Sequence, residues 1–249
     1  MVKGLDIFRD HFRDYAGQYM LIGGTACDVL LEAANQAFRV TKDLDIVLCA
    51  EALTDDFFRA FWKFVKAGGY QIRQKNDGRP QLYRFAKPAD RRYPNMLEIF
   101  SRKPGFVTAE DARLAPIPSD DEAYSLSAIL LDDAYYELVK SGTITIDGIS
   151  VVSANYLIPL KARAYMDLRT RREAGESIDS KAISKHKNDI VRLMIIATND
   201  GRLALPGNMK ADVDAFVTIM REERPVLQDL GITMTTLDEM LEKMETMYS

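Results

Sequence analysis

The stretch Arg39-Val-Thr-Lys-Asp-Leu-Asp-Ile-Val47 decides how this chain folds. Leu44, Ile46 and Leu48 alternate with Asp43, Asp45 and Val47, the period of a strand that buries one face. Residues i and i+2 of a strand point to the same side, so Asp43 and Asp45 aim two carboxylates at one point. Carboxylate oxygens are hard ligands that suit Mg²⁺ or Mn²⁺, and Mg²⁺ is often held by a few carboxylates plus substrate phosphates. Upstream, Tyr19-Met-Leu-Ile22 is a short apolar run ended by Gly23-Gly24-Thr25. It predicts a buried strand, a tight turn and a helix to about Ala34, with Thr25 as the cap. A glycine pair at a helix start lets backbone N–H groups come close to an anion such as a triphosphate.

Outward from this pair, Leu5, Ile7, Phe8, Phe12 and Tyr15 follow a helical period. Asp55 to Lys66 does the same, with Phe57, Phe58, Phe61, Trp62 and Val65 as its core side and Gly68-Gly69 as its stop. Residues 70–74, 81–86 and 96–101 read as three strands, with Asn76-Asp77-Gly78 a hairpin signal between the first two. Glu98 falls inside the apolar run Asn95-Met-Leu-Glu-Ile-Phe100, and a buried glutamate needs a partner. A metal shared with Asp43 and Asp45 would supply one; the alternative places Glu98 on the exposed face of an edge strand. Residues 103–122 contain prolines and acids and read as a loop, and 143–152 as a second hairpin turning at Asp147-Gly148. After Ser153 only helical patterns remain, over 156–172, 180–199, 209–221 and 235–247. The expectation is an α/β-mixed domain over 1–152 and a helical domain over 153–249.

Composition bounds the function. A chain of 249 residues with 47% hydrophobic and 28% charged residues is an ordinary globular sequence. Its formal charge of −4 argues against a protein that coats nucleic acid nonspecifically. The charge is uneven: residues 161–192 carry a net +4 and residues 211–249 a net −6. The first segment is either a local phosphate-binding face or a solvated helix surface. Cys27 and Cys49 lie in apolar contexts and offer neither a disulfide framework nor a metal-finger spacing. Only His11 and His186 are present, too few for most histidine-based metal sites. No run approaches the about 18 apolar residues of a membrane span, and the N-terminus carries acids unlike a signal peptide. A cytoplasmic protein is expected.

In order and spacing, Gly23-Gly24-Thr25 followed by Arg39-Val-Thr-Lys-Asp-Leu-Asp45 resembles the nucleotidyltransferase superfamily that includes DNA polymerase β. The wording is similar to the AbiEii-type nucleotidyltransferases, toxin components of type IV toxin–antitoxin systems. The resemblance covers residues 19–193 and implies an α+β fold: a nucleotidyltransferase-type mixed sheet with flanking helices, followed by a C-terminal helical domain that completes the cleft. It implies two Mg²⁺ or Mn²⁺ ions at Asp43, Asp45 and Glu98, although an aspartate is common at the position of Glu98. It assigns nucleotide binding to Gly23, Gly24, Thr25, Arg39 and Thr41.

The segment Val152-Ser-Ala-Asn-Tyr-Leu-Ile-Pro-Leu-Lys161 through Arg169 resembles a further motif, which would bring Lys161 and Arg169 to the phosphates. Ser184-Lys-His-Lys-Asn-Asp189 resembles the last one, with Lys185 a nucleotide contact and Asp189 either orienting Lys161 or acting on the incoming hydroxyl. By spacing alone, Lys185 and Asp189 also fit an i, i+4 surface pair. The implied activity moves an NMP from an NTP to an acceptor hydroxyl, with an RNA such as a tRNA as acceptor and an antitoxin as partner. A small-molecule nucleotidyltransferase and a non-catalytic nucleotide-binding module remain as alternatives.

Overall fold

Four consecutive buried residues, Tyr19–Ile22, form β1, and the alternating stretch Asp43–Leu48 forms β2 beside it. The computed structural model describes residues 2–74, 81–101, 133–199 and 201–249, the side chains at 72–74, 81–83 and 101 excepted. The Asn76-Asp77-Gly78 turn and the 103–122 loop expected from the sequence lie outside the described residues. The remaining strands are β3 (Gln71–Gln74), β4 (Gln81–Ala86), β5 (Met96–Ser101), β6 (Thr143–Ile146) and β7 (Ile149–Val152). All seven described strands join one sheet in the order β3-β4-β5-β2-β1-β7-β6. The sheet is mixed: β2 runs parallel to β5 and β1 parallel to β7, while the other neighbours are antiparallel.

The described helices are α1 (Leu5–Phe12), α2 (Gly23–Ala33), α3 (Asp55–Gly68), α4 (Asp133–Ser141), α5 (Ala154–Glu173), α6 (Ser180–Ile196), α7 (Gly207–Glu223) and α8 (Leu237–Met247). The fold is therefore α+β. The first helix is shorter than its apolar period implies, because the chain kinks at Tyr15 into a 3-10 turn over Arg13–Gln18. No sequence expectation covered α4. Among the described residues no helix is long and apolar enough to cross a membrane.

Register sorts the sheet into two faces. Leu44 lies opposite Leu97, and Leu97 opposite Phe85, so these three share one side, and each is fully buried. Helix α3 packs there, with the Phe61 ring 5.2 Å from Phe85. Thr54 caps α3 by accepting from the Phe57 N–H at 3.2 Å, and Gly69 ends it in the left-handed region that glycine tolerates. Phe57, Phe61 and Val65 are buried as their spacing implies, whereas Phe58 and Trp62 are only half-buried. Phe64 is fully buried and completes the stripe. Phe12 gathers this cluster, 4.6 Å from Phe8, 5.3 Å from Phe64 and 5.7 Å from Phe57.

The described residues fall into two compact units, one of residues up to 101 with 139–153, the other of 133–138 with 154–249. The sheet belongs to the first. The second is helical, with Leu157, Leu168, Leu193, Met209, Phe216 and Met244 in its core. Its helix ends are tied down: Lys243 Nζ donates to the carbonyls of Met194 (3.0 Å) and Ala197 (2.6 Å), closing the end of α6. Thr236 and Glu239 form a reciprocal capping box at the start of α8.

Phe12→Ala is expected to cost roughly 3–5 kcal/mol, as for other fully buried aromatic truncations, and Phe58→Ala clearly less. Urea unfolding followed by the fluorescence of Trp62, the one tryptophan of the chain, reports the first unit and checks the ranking.

Candidate functional site

Burial along β2 alternates at its start: Leu44 and Ile46 are buried while Asp43 and Asp45 are half-exposed. The two carboxylates therefore share one face, as the period predicts. Helix α2 begins at Gly23, with Ile22 as its N-cap and no side-chain cap bond. Thr25 consequently lies inside the helix and is not its cap. Its fully buried hydroxyl donates to the backbone carbonyl of Asp43 at 2.5 Å, tying α2 to the start of β2.

The two glycines are required by close approach. Gly23 has φ +63°, and a Cβ there would lie 1.7 Å from Asp45 Oδ2. A Cβ on Gly24 would lie 2.8 Å from Thr41 Oγ1 and 3.2 Å from Arg39 Nη2. Gly23, Gly24, Arg39, Thr41 and Asp45 thus converge on the first turn of α2, where the helix dipole favours a negative group. The guanidinium of Arg39 also lies 4.9 Å over the Phe38 ring. The proximity that the glycines permit is used in this structure by the chain's own carboxylate, hydroxyl and guanidinium.

Glu98 sits on the same face, because β5 is in parallel register with β2 and sets Glu98 opposite Asp45. It is buried, at 7% exposure, on a strand flanked on both sides, so the edge-strand alternative falls away. The partner that its burial demands is a guanidinium. Arg84, opposite Glu98 across the β4–β5 ladder and equally buried, donates from Nε to Glu98 Oε1. Among the described residues, no group of three or more His, Cys, Asp or Glu side chains is gathered closely enough to hold a metal ion. The donor chemistry of Asp43 and Asp45 fits a divalent cation; Glu98, clamped by Arg84, does not fit as its third ligand. Sequence reasoning passed over Arg84. Its signal was available: a charged residue beside Phe85 in a strand whose hairpin partner also carries an isolated charge.

The other expected site residues lie in the helical unit. Lys161 and Asp189 are both buried, at 4% and 0% exposure, and form an ion pair with Nζ 2.8 Å from Oδ2. Asp189 therefore meets the charge of Lys161, and the surface-pair alternative with Lys185 does not describe it. Arg169 bonds with the Tyr165 hydroxyl at 3.1 Å, Glu223 at 2.8 Å and Glu173 at 3.0 Å, and these bonds raise its pKa further. Burial works against the charge of Glu223, but bonds from Lys187 and Arg169 outweigh it and hold the carboxyl below its ordinary range. Arg171 reaches Glu176 at 2.7 Å. Five of the nine bases of the segment are thus seen to be answered within their own unit, Arg169, Arg171 and Lys187 by glutamates and Lys161 and Arg163 by aspartates. Lys185 is half-buried on α6.

Both cysteines are buried and neither is in a disulfide. Burial, and then the charge of Glu51, pushes the Cys49 thiol up to about 11, which leaves little nucleophilic thiolate near neutrality.

A scan against protein-family models found no match, and a search of curated proteins found none. Among solved structures, the chain is similar to an antigenic nucleotidyltransferase-like protein from Paracoccidioides brasiliensis. The identity is 15%, covering 89% of this chain and 92% of that one, with a TM-score of 0.45. It is also similar to the Megavirus polyadenylate synthase, at 14% identity over 88% of this chain and a TM-score of 0.41. The chain spans 36% of the length of that synthase.

Two sets of substitutions test this geometry. Gly23→Ala is expected to destabilise the first unit by more than the roughly 1–2 kcal/mol of a left-handed alanine, because Cβ also displaces the Asp45 carboxylate. In an Asp45→Ala background most of the excess should vanish, since only the Asp45 Cβ contact at 3.0 Å remains, which a urea double-mutant cycle measures. Asp189→Ala, which leaves a buried ammonium, should cost about 3–5 kcal/mol, and Lys161→Met with Asp189→Leu should recover most of it. Hydrogen exchange of α5 and α6 reports the outcome.

Proposed function

We propose that the sheet unit binds a nucleoside triphosphate with a divalent cation and transfers its NMP to an acceptor hydroxyl. The observation that carries this reading is the convergence of Gly23, Gly24, Arg39, Thr41 and Asp45 on the start of α2, with Asp43 on the same face of β2. Backbone N–H groups at a helix start are suited to phosphate oxygens. The Arg39 guanidinium matches phosphate as a fork, and the Thr41 hydroxyl can donate to the same group. A divalent cation held by Asp43 and Asp45 would neutralise phosphate charge and make an acceptor hydroxyl more acidic. The acceptor oxygen bonds to the α-phosphorus as the bond to the β-phosphate oxygen breaks, releasing pyrophosphate.

From the helical unit, this reading takes Lys161 as a phosphate-neutralising group and Asp189 as the group that orients it; their buried pair supports the second role, and the first would mean Lys161 leaving Asp189. Arg169 and Lys185 enter only as further phosphate contacts, and for Arg169 that would mean leaving its glutamate partners.

The finer reading, a toxin-like enzyme with an RNA acceptor and an antitoxin partner, leans on the basic segment 161–192. Its Arg169, Arg171 and Lys187 are paired with glutamates. The segment therefore offers less charge to an RNA than its count of bases suggests. That observation favours a polar small molecule as the second candidate acceptor.

The reading is tested by incubating the protein and Mg²⁺ with each α-labelled NTP, in the presence of total RNA or of polar small molecules. Label should move to one class of acceptor, and Asp45→Asn should slow the transfer by roughly 100- to 1000-fold while leaving the unfolding midpoint near that of the wild type. Calorimetry should show that Asp45→Asn also loses Mn²⁺ affinity in the presence of nucleotide. Unchanged affinity would sink the assignment.

A further inference from the structure

Helix α5 carries a proline in its interior, and the residue that ends α8 makes good the bond this removes. In an α-helix the carbonyl of Asn155 accepts from the N–H of residue 159. Residue 159 is Pro159, which has no N–H and whose ring crowds the carbonyl four residues back. The hydroxyl of Tyr248 donates to that same carbonyl at 2.6 Å. We propose that Tyr248 stands in for the missing donor and is thereby a positioning residue for Lys161, two residues beyond Pro159 in the same helix.

Tyr248 is fully buried, and a buried hydroxyl without a partner is costly. Burial, and then the neighbouring Tyr156, hold its hydroxyl well above the ordinary phenol range, so it keeps its proton to donate. The hydroxyl and the carbonyl thus each supply what the other lacks. Two further sets of bonds meet at this place. The Asn155 side chain donates to the Thr198 carbonyl at 3.0 Å and accepts from the Thr198 N–H at 3.1 Å. Lys243, on α8, holds the Met194 and Ala197 carbonyls at the end of α6. The start of α5, the end of α6 and the end of α8 are therefore tied together. Following α5 inward from Asn155, and α6 back from Thr198, leads to the buried pair of Lys161 and Asp189. The distance along α5 is six residues, about 9 Å of helix. A helix is stiff over that length, so a tilt of α5 at Asn155 is carried to Lys161. The bearing of this latch on phosphate rests on the function proposed above; the latch itself does not.

The experiment uses the full chain as wild type, Tyr248→Phe, Pro159→Ala and the double variant. Two quantities are read by nuclear magnetic resonance: the hydrogen exchange of the α5 amides, and the signal of the Lys161 ammonium, assigned by its loss when Lys161→Met is combined with Asp189→Leu. Tyr248→Phe removes only the hydroxyl. It should speed α5 exchange by roughly 5- to 100-fold, the effect of one buried acceptor left unmet, and should shift or broaden the Lys161 signal. Pro159→Ala returns an N–H to position 159. In that background Tyr248→Phe should change neither readout, and the new amide at position 159 should be protected from exchange.

A Lys161 signal that stays in place while the amides exchange faster would make Tyr248 a stabilising contact only and overturn its positioning role. An effect of Tyr248→Phe that persists in full with Pro159→Ala would overturn the replacement of one donor by the other, and no effect in either background would overturn both. If Tyr248→Phe alone fails to fold, the double variant should still fold; its failure would count against the proposal in the same way. Calorimetry with an NTP and Mg²⁺ separates this from the function proposed above. Tyr248→Phe should weaken nucleotide binding, and Pro159→Ala should restore it. A wild type that binds no nucleotide would remove the phosphate role of Lys161, while the amide and ammonium signals would still decide the role of Tyr248.

Discussion

Pairing of β2 with β1 on one side and with β5 on the other is the constraint on which the site depends. The antiparallel pairing sets Ile22 opposite Asp45 and so brings the glycine turn after β1 under that carboxylate. The parallel pairing sets Glu98 beside the same aspartate. A slip of one residue in either ladder would turn every side chain to the other face and send Asp45 or Glu98 into the layer of Leu44, Leu97 and Phe85. The aromatic cluster around Phe12 and Phe61 makes such a slip costly, because its packing requires that layer to stay apolar.

Both units meet the same electrostatic problem and solve it in the same way. A charge in an apolar run has no water to solvate it and must find an opposite charge or a hydrogen-bonding partner. In the sheet the pair is Arg84 with Glu98, from neighbouring strands; in the helical unit it is Lys161 with Asp189, from α5 and α6. Pairs of this kind contribute little net stability relative to apolar replacements, yet removing one partner is expensive. They therefore hold particular side chains in particular places. The surface charges of the helical unit are different in kind. Arg169, Lys187 and Glu223 form a half-exposed cluster open to screening, and more is lost from it at low pH as Glu223 is protonated. The sign follows from the lowered pKa: the stabilising contribution is present above the ordinary carboxylate range and fades as pH falls through the value in the folded protein.

Much of this protein was determined by the sequence alone. The period-two alternation over 43–48, the buried run 19–22, the aromatic stripe of α3 and the glycine stops are local properties, and the elements appear where those properties place them. The shared face of Asp43 and Asp45 follows from strand geometry and needed nothing else. Glu98 was recognisable as a buried charge that must be compensated. Which group compensates it was decided only by the tertiary structure, because the order β4-β5-β2 puts a guanidinium on one side of Glu98 and a carboxylate on the other. Thr25 shows the same division. Its residue type suits a cap, but the phase of the turn at Gly23 places it inside the helix, where its hydroxyl is used on β2. Periodicity reports which way a side chain faces and whether it is buried. Strand order and register, which depend on the whole chain, decide what it meets there.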